Sequence, residues 1–211
     1  MPFGRGLAHE ALRQSVEERM AAMIVIVGVG ALGSHLVQFI RNEKVDIRIV
    51  DFDRVEQKNV MSQFHGKPGV GKSKVEALKQ TMDFLFKRSV QTVGHKLVDN
   101  NVDQLMKGAT LVVDCLDNGA ARKLVQDYVR KHGLPCLHGA LAPGGEFGRV
   151  VWDHQFVIDS EAGAGAATCE DGEFLPFIAL TAAYMARSIQ LFLKDGKKMG
   201  FSISPAWVIP I

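Results

Sequence analysis

A strand, a glycine turn, a helix, a second strand and an acidic residue follow one another between Met23 and Asp53. The apolar run Met23-Ile24-Val25-Ile26-Val27 leads into Gly28-Val29-Gly30-Ala31-Leu32-Gly33. An amphipathic segment continues to about Ile40, and the apolar run Val45–Val50 ends in Asp51-Phe52-Asp53. This order is the core of a nucleotide-binding βαβ unit. Gly28 permits the tight turn, Gly30 lets phosphate oxygens approach the backbone, and Gly33 lets the helix pack against the strand. The N–H groups that open the helix, at Ala31 and Leu32, face a polyphosphate there, and the helix dipole favours its charge. Asp51, near 20 residues past the turn, is placed to take ribose hydroxyls; the alternative is a solvated acid at a strand end.

The chain beyond this unit keeps alternating. Asp53–Gly71 has no period and reads as a functional loop with at most a short helix. Ser73–Phe86 is helical, with Val75, Leu78, Met82 and Leu85 on one stripe. Lys72 and Lys74 open that helix, where cations oppose the dipole, and so point to an anionic ligand or are solvated. Ser89–Leu97 reads as a strand and Val102–Lys107 as a short helix. Thr110–Cys115 is a buried-type strand, Ala120–His132 a helix with Leu124, Val125 and Tyr128 inward, and Leu134–His138 another strand. The pattern predicts an α/β fold with a doubly wound, largely parallel sheet. Asp117 then lies just beyond a strand's carboxyl end, where such sheets bind ligands.

Past Gly144 the character changes. Val150-Val151-Trp152 suits an antiparallel strand, Ala162–Ala167 a glycine-rich loop, Glu173–Lys194 a long helix that is buried or forms a subunit interface, and Phe201–Ile209 an edge strand. Residues 7–20 read as a helix covering a sheet edge, whose Arg13, with Arg5 ahead of it, is either solvated or reaches a phosphate across a dimer interface.

Composition sets bounds. With 211 residues, 47% of them apolar, the chain suits one well-buried α/β domain with modest additions. A net charge of +2 gives no bulk reason to expect nucleic acid or an anionic membrane. Three cysteines without paired spacing fit a reducing compartment, and the apolar run at Ala21–Val27 is too short to span a bilayer. The expectation is a cytoplasmic protein.

Four segments, GVGALGS at Gly28–Ser34, DFDRVEQKNVMSQ at Asp51–Gln63, VGKSKVEAL at Val70–Leu78 and DCLDN at Asp114–Asn118, stand in an order that resembles the ubiquitin-activating-enzyme-like family. Its simpler bacterial members adenylate sulfur-carrier proteins. The resemblance implies a Rossmann-like adenylation domain that binds Mg-ATP rather than NAD, forms a homodimer, and acts on the C-terminal Gly-Gly carboxylate of a small β-grasp protein. By position, Gly28, Gly30, Ala31, Leu32 and Gly33 cradle phosphate, and Asp51, Asp53 and Gln63 belong to the nucleotide site. Asn59 and Lys74 contact phosphates, and Asp117 holds magnesium. The chemistry suits these types, because a carboxylate is a poor nucleophile and catalysis must come from positioning and charge neutralisation.

The chain departs from the family in three places. The family's N-x-x-R-Q has Ser62 at the arginine, with Arg54, Lys58, Arg5 or Arg13 as candidate substitutes. No C-x-x-C pair is present, so structural zinc is not expected. Cys169 stands where some members carry a thioester-forming cysteine; the alternative is an inert surface thiol. Cys115 and Cys136 read as structural, and His65, His95, His138 and His154 as core or surface histidines. Three functions stay open on this reading: the adenylating enzyme, a catalytically impaired module that binds nucleotide or a ubiquitin-like partner, and an NAD-dependent oxidoreductase. The last leaves Asn59, Lys74 and Asp117 without a role.

Overall fold

The computed structural model describes residues 22–142, 144–158 and 172–211. The expected N-terminal helix, Arg5, Arg13, the loop at Ala162–Ala167 and Cys169 lie outside the described residues. One eight-stranded sheet runs in the order β3-β2-β1-β4-β5-β6-β7-β8. Its strands are β1 (Met23–Val27), β2 (Asp46–Val50), β3 (Gln91–Val93), β4 (Leu111–Asp114), β5 (Cys136–Leu141), β6 (Gly148–Trp152), β7 (Phe201–Ile203) and β8 (Val208–Pro210). Pairings from β3 through β5 are parallel, and those from β5 through β8 are antiparallel.

The helices are α1 (Ala31–Phe39), α2 (Lys74–Phe86), α3 (Val102–Met106), α4 (Gly119–His132) and α5 (Leu175–Asp195). Side chains alternate across a strand, so β1 sends Ile24 and Ile26 into one core with α1, α2 and α5, and Val25 and Val27 into a second with α3 and α4. An apolar run without alternation is what such two-sided burial requires. Helix α5 is long and apolar enough to cross a membrane. In this fold its Phe177, Ile178, Ala182, Met185 and Ile189 pack into the first core beside α1.

Several sequence expectations need correction. The third strand is only Gln91–Val93, not Ser89–Leu97, and the last is a hairpin, β7 and β8, closed by Ser204 N–H donating to Trp207 O at 2.8 Å. Leu85 is 53% exposed, because α2 ends over solvent beyond Met82. On α4 the inward face is Val125, Gln126 and Val129 rather than Leu124 and Tyr128, which are only partly buried. Polar side chains turn inward there to serve two carboxylates.

Asp114, fully buried at the end of β4, accepts Leu116 N–H at 2.9 Å, faces His138 Nδ1 at 2.8 Å and lies 3.4 Å from Arg122 Nη1. Asp153 receives Arg130 Nε at 2.8 Å and Gln126 Nε2 at 3.1 Å, and faces the other ring nitrogen of His138 at 3.3 Å. Burial alone would raise the Asp153 pKa, but the bonds from Arg130 and Gln126 outweigh it and hold the carboxyl below its ordinary value of 3.8. A carboxyl depressed in the folded state is protonated first in the unfolded chain. Its stabilisation is therefore complete above the ordinary carboxyl value and is lost as pH falls through the depressed one. Urea unfolding between pH 7 and pH 3 should show Asp153→Asn less stable than wild type at pH 7, with the gap closing in acid. A gap of constant size across that range would refute this account.

Candidate nucleotide site at the sheet's switch point

Strand β1 has β2 on one side and β4 on the other, so the sheet's winding reverses there, and crevices at such points hold ligands in open α/β sheets. The carboxyl ends of these strands are knitted together. Gly28 N–H donates to Val50 O at 2.8 Å, and Cys115 N–H to Val27 O at 2.9 Å. Gly28 has φ +87°, and a Cβ there would lie 2.9 Å from Cys115 O. At Gly33 a Cβ would lie 1.9 Å from Gly28 O, which is why the helix can approach the turn only without a side chain.

Gly30 differs from both. Its φ of −74° is not left-handed, and a Cβ there would meet nothing within 4 Å. It is the N-cap of α1, whose first turn has no side-chain cap and no acidic residue. The opening N–H groups of a helix have no intrahelical partner, so this end offers donors to open space. A phosphate fits that cradle.

Asp51 is committed first to the chain itself. Its Oδ2 accepts Val29 N–H at 2.8 Å and its Oδ1 accepts Asp53 N–H at 2.8 Å. Burial raises its pKa, against those two bonds and the positive charge of Lys74. Each oxygen keeps acceptor capacity for a hydroxyl. Lys74 is 8% exposed, and its Nζ lies 3.0 Å from Oδ2 of the half-exposed Asp53. The anion answering the cation at the start of α2 is thus Asp53.

The loop between Asp53 and Lys74 holds the remaining candidates. It is closed by Val55 N–H to Lys72 O and Gly71 N–H to Val55 O, and contains two short 3-10 turns, Gln57–Met61 and Lys67–Gly69. Buried Asn59 forms a reciprocal capping box with Glu56: its Oδ1 accepts Glu56 N–H at 2.8 Å, and the Glu56 side chain accepts Asn59 N–H. Ser62 is fully buried, with its carbonyl accepting from His35 Nε2 at 3.1 Å. The Gln63 Oε1 is buried and has no protein partner. Arg54, a candidate substitute for the family arginine, donates to Gly71 O at 2.7 Å, while Lys58 pairs with Glu56 and Lys72 with Gln80.

Asp117 stands exposed past β4, in a loop fixed by Arg122 Nε donating to Leu116 O at 2.8 Å and by Asn118, whose Oδ1 accepts Ala121 N–H at 2.8 Å. Desolvation first, and then the Asp114 charge, push the Cys115 and Cys136 thiols up, which leaves both neutral. The structure thus brings the glycine turn, Asp51, Asp53, Lys74 and the Asp117 loop to one end of the sheet. Sequence reasoning passed over Arg122 and Gln126, and read His65 and His138 only as core or surface histidines. Arg122 and Gln126 carried a signal, polar residues one turn apart on a buried stripe. The two histidines carried none.

A model of the ThiF family matches residues 7–192. The chain is 33% identical over 125 residues to the SAMP-activating enzyme E1 of Haloferax volcanii, covering 58% of this chain and 46% of that protein. It is 29% identical over 122 residues to the molybdopterin-synthase adenylyltransferase of Salmonella typhimurium, covering 56% and 49%. It is 30% identical over 196 residues to the adenylyltransferase and sulfurtransferase UBA4 of Lodderomyces elongisporus, covering 87% and 41%. The chain therefore spans less than half the length of these relatives. Its fold matches E. coli MccB solved with AMPCPP and MccA at a TM-score of 0.73 and 16% identity, over the whole chain and 71% of MccB. With its glycine turn, switch-point site and C-terminal antiparallel strands, the chain belongs to the ThiF family.

Proposed function

We propose that this protein adenylates the C-terminal Gly-Gly carboxylate of a small β-grasp carrier protein, using ATP and releasing pyrophosphate. The proposal rests on an uncapped helix start at Gly30, the buried ammonium of Lys74 beside Asp53, and the exposed carboxylate of Asp117 just past the neighbouring strand β4. Named adenylyltransferases among the relatives support it.

In the step itself a carrier carboxylate oxygen bonds to the α-phosphorus, the bond to the bridging oxygen of the β-phosphate breaks, and pyrophosphate leaves with that electron pair. The chain's residues supply position and charge. The α1 N–H groups hold phosphate oxygens, Asp51 orients the ribose, and Lys74 turns part of its charge from Asp53 toward the transferring phosphate. Among the described residues no three acidic, histidine or cysteine side chains converge as a metal cage. Magnesium bound with ATP needs only one or two carboxylates, and Asp117 is the residue that would hold it. Its charge supplies neutralisation of the phosphates. A thioester step, where the reaction includes one, falls to Cys169.

Buried Ser62 favours one other reading, a module that binds nucleotide or a ubiquitin-like partner without turnover. ATP–pyrophosphate exchange with β-grasp proteins ending in Gly-Gly separates the two. Exchange is expected with a cognate carrier, and Lys74→Ala should slow it by about a hundredfold. ATP binding without exchange for any carrier would decide for the module.

The glycines give a second, independent check. Gly30→Ala should weaken ATP binding at least about tenfold, since its Cβ meets no protein atom and enters the phosphate space. Gly28→Ala should show the larger stability loss, from positive φ and the Cys115 contact. Calorimetric melting and ATP titration of the two variants read both effects.

A further inference from the structure

Val29 sits between two side chains that reach it from far along the sequence. Its N–H donates to Asp51 Oδ2 at 2.8 Å, and its carbonyl accepts from His65 Nε2 at 2.9 Å. The two peptide groups flanking Val29 are therefore both fixed, immediately before the cradle at Gly30. Asp51 belongs to the nucleotide site already described. His65 has no place in it so far.

The His65 ring is 4% exposed, and its Nδ1 has no partner. A carbonyl only accepts, so Nε2 carries the proton and Nδ1 is a bare lone pair. Burial first, against the bond to Val29, and then the Lys74 charge and the neighbouring His35 push its pKa down to about 4, so the ring is neutral at pH 7. Burying a bare ring nitrogen is unfavourable, and an apolar residue of similar size would fill the same space without it. Packing alone does not account for a histidine here; the bond to Val29 does.

The rest of the loop prepares that bond. Phe64 N–H donates to Ser34 Oγ at 2.9 Å, and the Ser62 carbonyl accepts from His35 Nε2 at 3.1 Å, so the residues just ahead of the ring are stitched to α1. His65 N–H closes on Gln63 O at 2.7 Å, which fixes the backbone from which the ring extends. The imidazole thus arrives at Val29 on a frame tied to the helix whose N-terminus forms the cradle.

We propose that His65 is a positioning residue for phosphate binding: with Asp51 it clamps the peptide groups on either side of Val29 and so aims the N–H groups that open α1. The proposal rests on the nucleotide reading above. His65 touches no ligand atom in it and adds no positive charge. Its contribution is orientation, delivered from the loop that also carries Asn59 and Gln63.

Three variants and two ligands test this. His65→Gln keeps a donor near the Nε2 position, His65→Leu removes it, and His65→Asn places its donor too short to reach Val29. Each is titrated with ATP and, by competition, with adenosine, which lacks phosphates. His65→Leu and His65→Asn should weaken ATP binding about tenfold, the scale of one lost buried hydrogen bond, and change adenosine binding by less than about twofold. His65→Gln should stay within about threefold of wild type for both. Should the leucine variant fail to fold, the asparagine variant carries the same comparison. Equal losses for ATP and adenosine, or unchanged ATP affinity in both His65→Leu and His65→Asn, would overturn the proposal while leaving the nucleotide reading intact. Failure of the wild type to bind ATP would overturn both.

Discussion

The geometry of the site depends on one half-buried carboxylate. Asp51 ends β2, and its two oxygens accept N–H groups from the neighbouring glycine turn and from its own continuation. The acid is thereby a splice between two strand ends. Its raised pKa records the cost: burial disfavours the charge that the two bonds require. A fold selected for stability alone would place a neutral acceptor there. An acid held at an energetic cost, beside an uncapped helix start, is the sort of local conflict that marks functional positions.

A second carboxylate does the corresponding work across the switch point. Asp114 ends β4 and fixes the loop that presents Asp117, and its oxygens face Arg122 and His138. The network does not stop there. His138 stacks on Phe156 with ring centres 3.9 Å apart, and its other nitrogen faces Asp153. The Asp117 loop, β5 and the segment leaving β6 therefore share one set of polar contacts. Buried ion clusters add little net stability, because desolvation offsets attraction, yet removing one member strands the others. Such a cluster is better at holding a loop in one geometry than at holding the protein together.

These two carboxylates also explain what could be read from the sequence and what could not. The unit from Met23 to Asp53 was legible because local rules agree there: apolar strands, glycines at the turn and at the close helix approach, an acid at the right distance. The parallel order followed from alternation of strands and helices. The inward face of α4 was misread because Gln126 and Arg122 look like surface residues, and only the carboxylates of Asp114 and Asp153, distant in sequence, draw them in. Leu85 kept helical periodicity past the point where a core exists to receive it. Lys74 looked like a bare cation at a helix start, since its partner Asp53 stands 21 residues earlier. For Lys74 and for the face of α4 the failure is one of long-range pairing, which local pattern does not encode.

The charges around the site bear on the missing arginine. Asp51, Asp53 and Asp117 bring three carboxylates, and among the described residues Lys74 is the buried ammonium beside Asp51 and Asp53. Arg54, Lys58 and Lys72 are engaged with Gly71, Glu56 and Gln80 along the outer side of the loop. Replacing Ser62 by an arginine adds a charge at a fully buried position, where the loop must open to admit it. On the nucleotide reading, a polyphosphate entering this site meets more negative than positive side-chain charge. The helix N–H groups offset only part of that, roughly half an elementary charge. The balance has to be supplied with the ligand, as a divalent cation at Asp117, or by basic groups brought from outside the described residues. Under the proposed adenylation, the absence of an arginine at Ser62 leaves that neutralisation to a metal at Asp117 or to such basic groups.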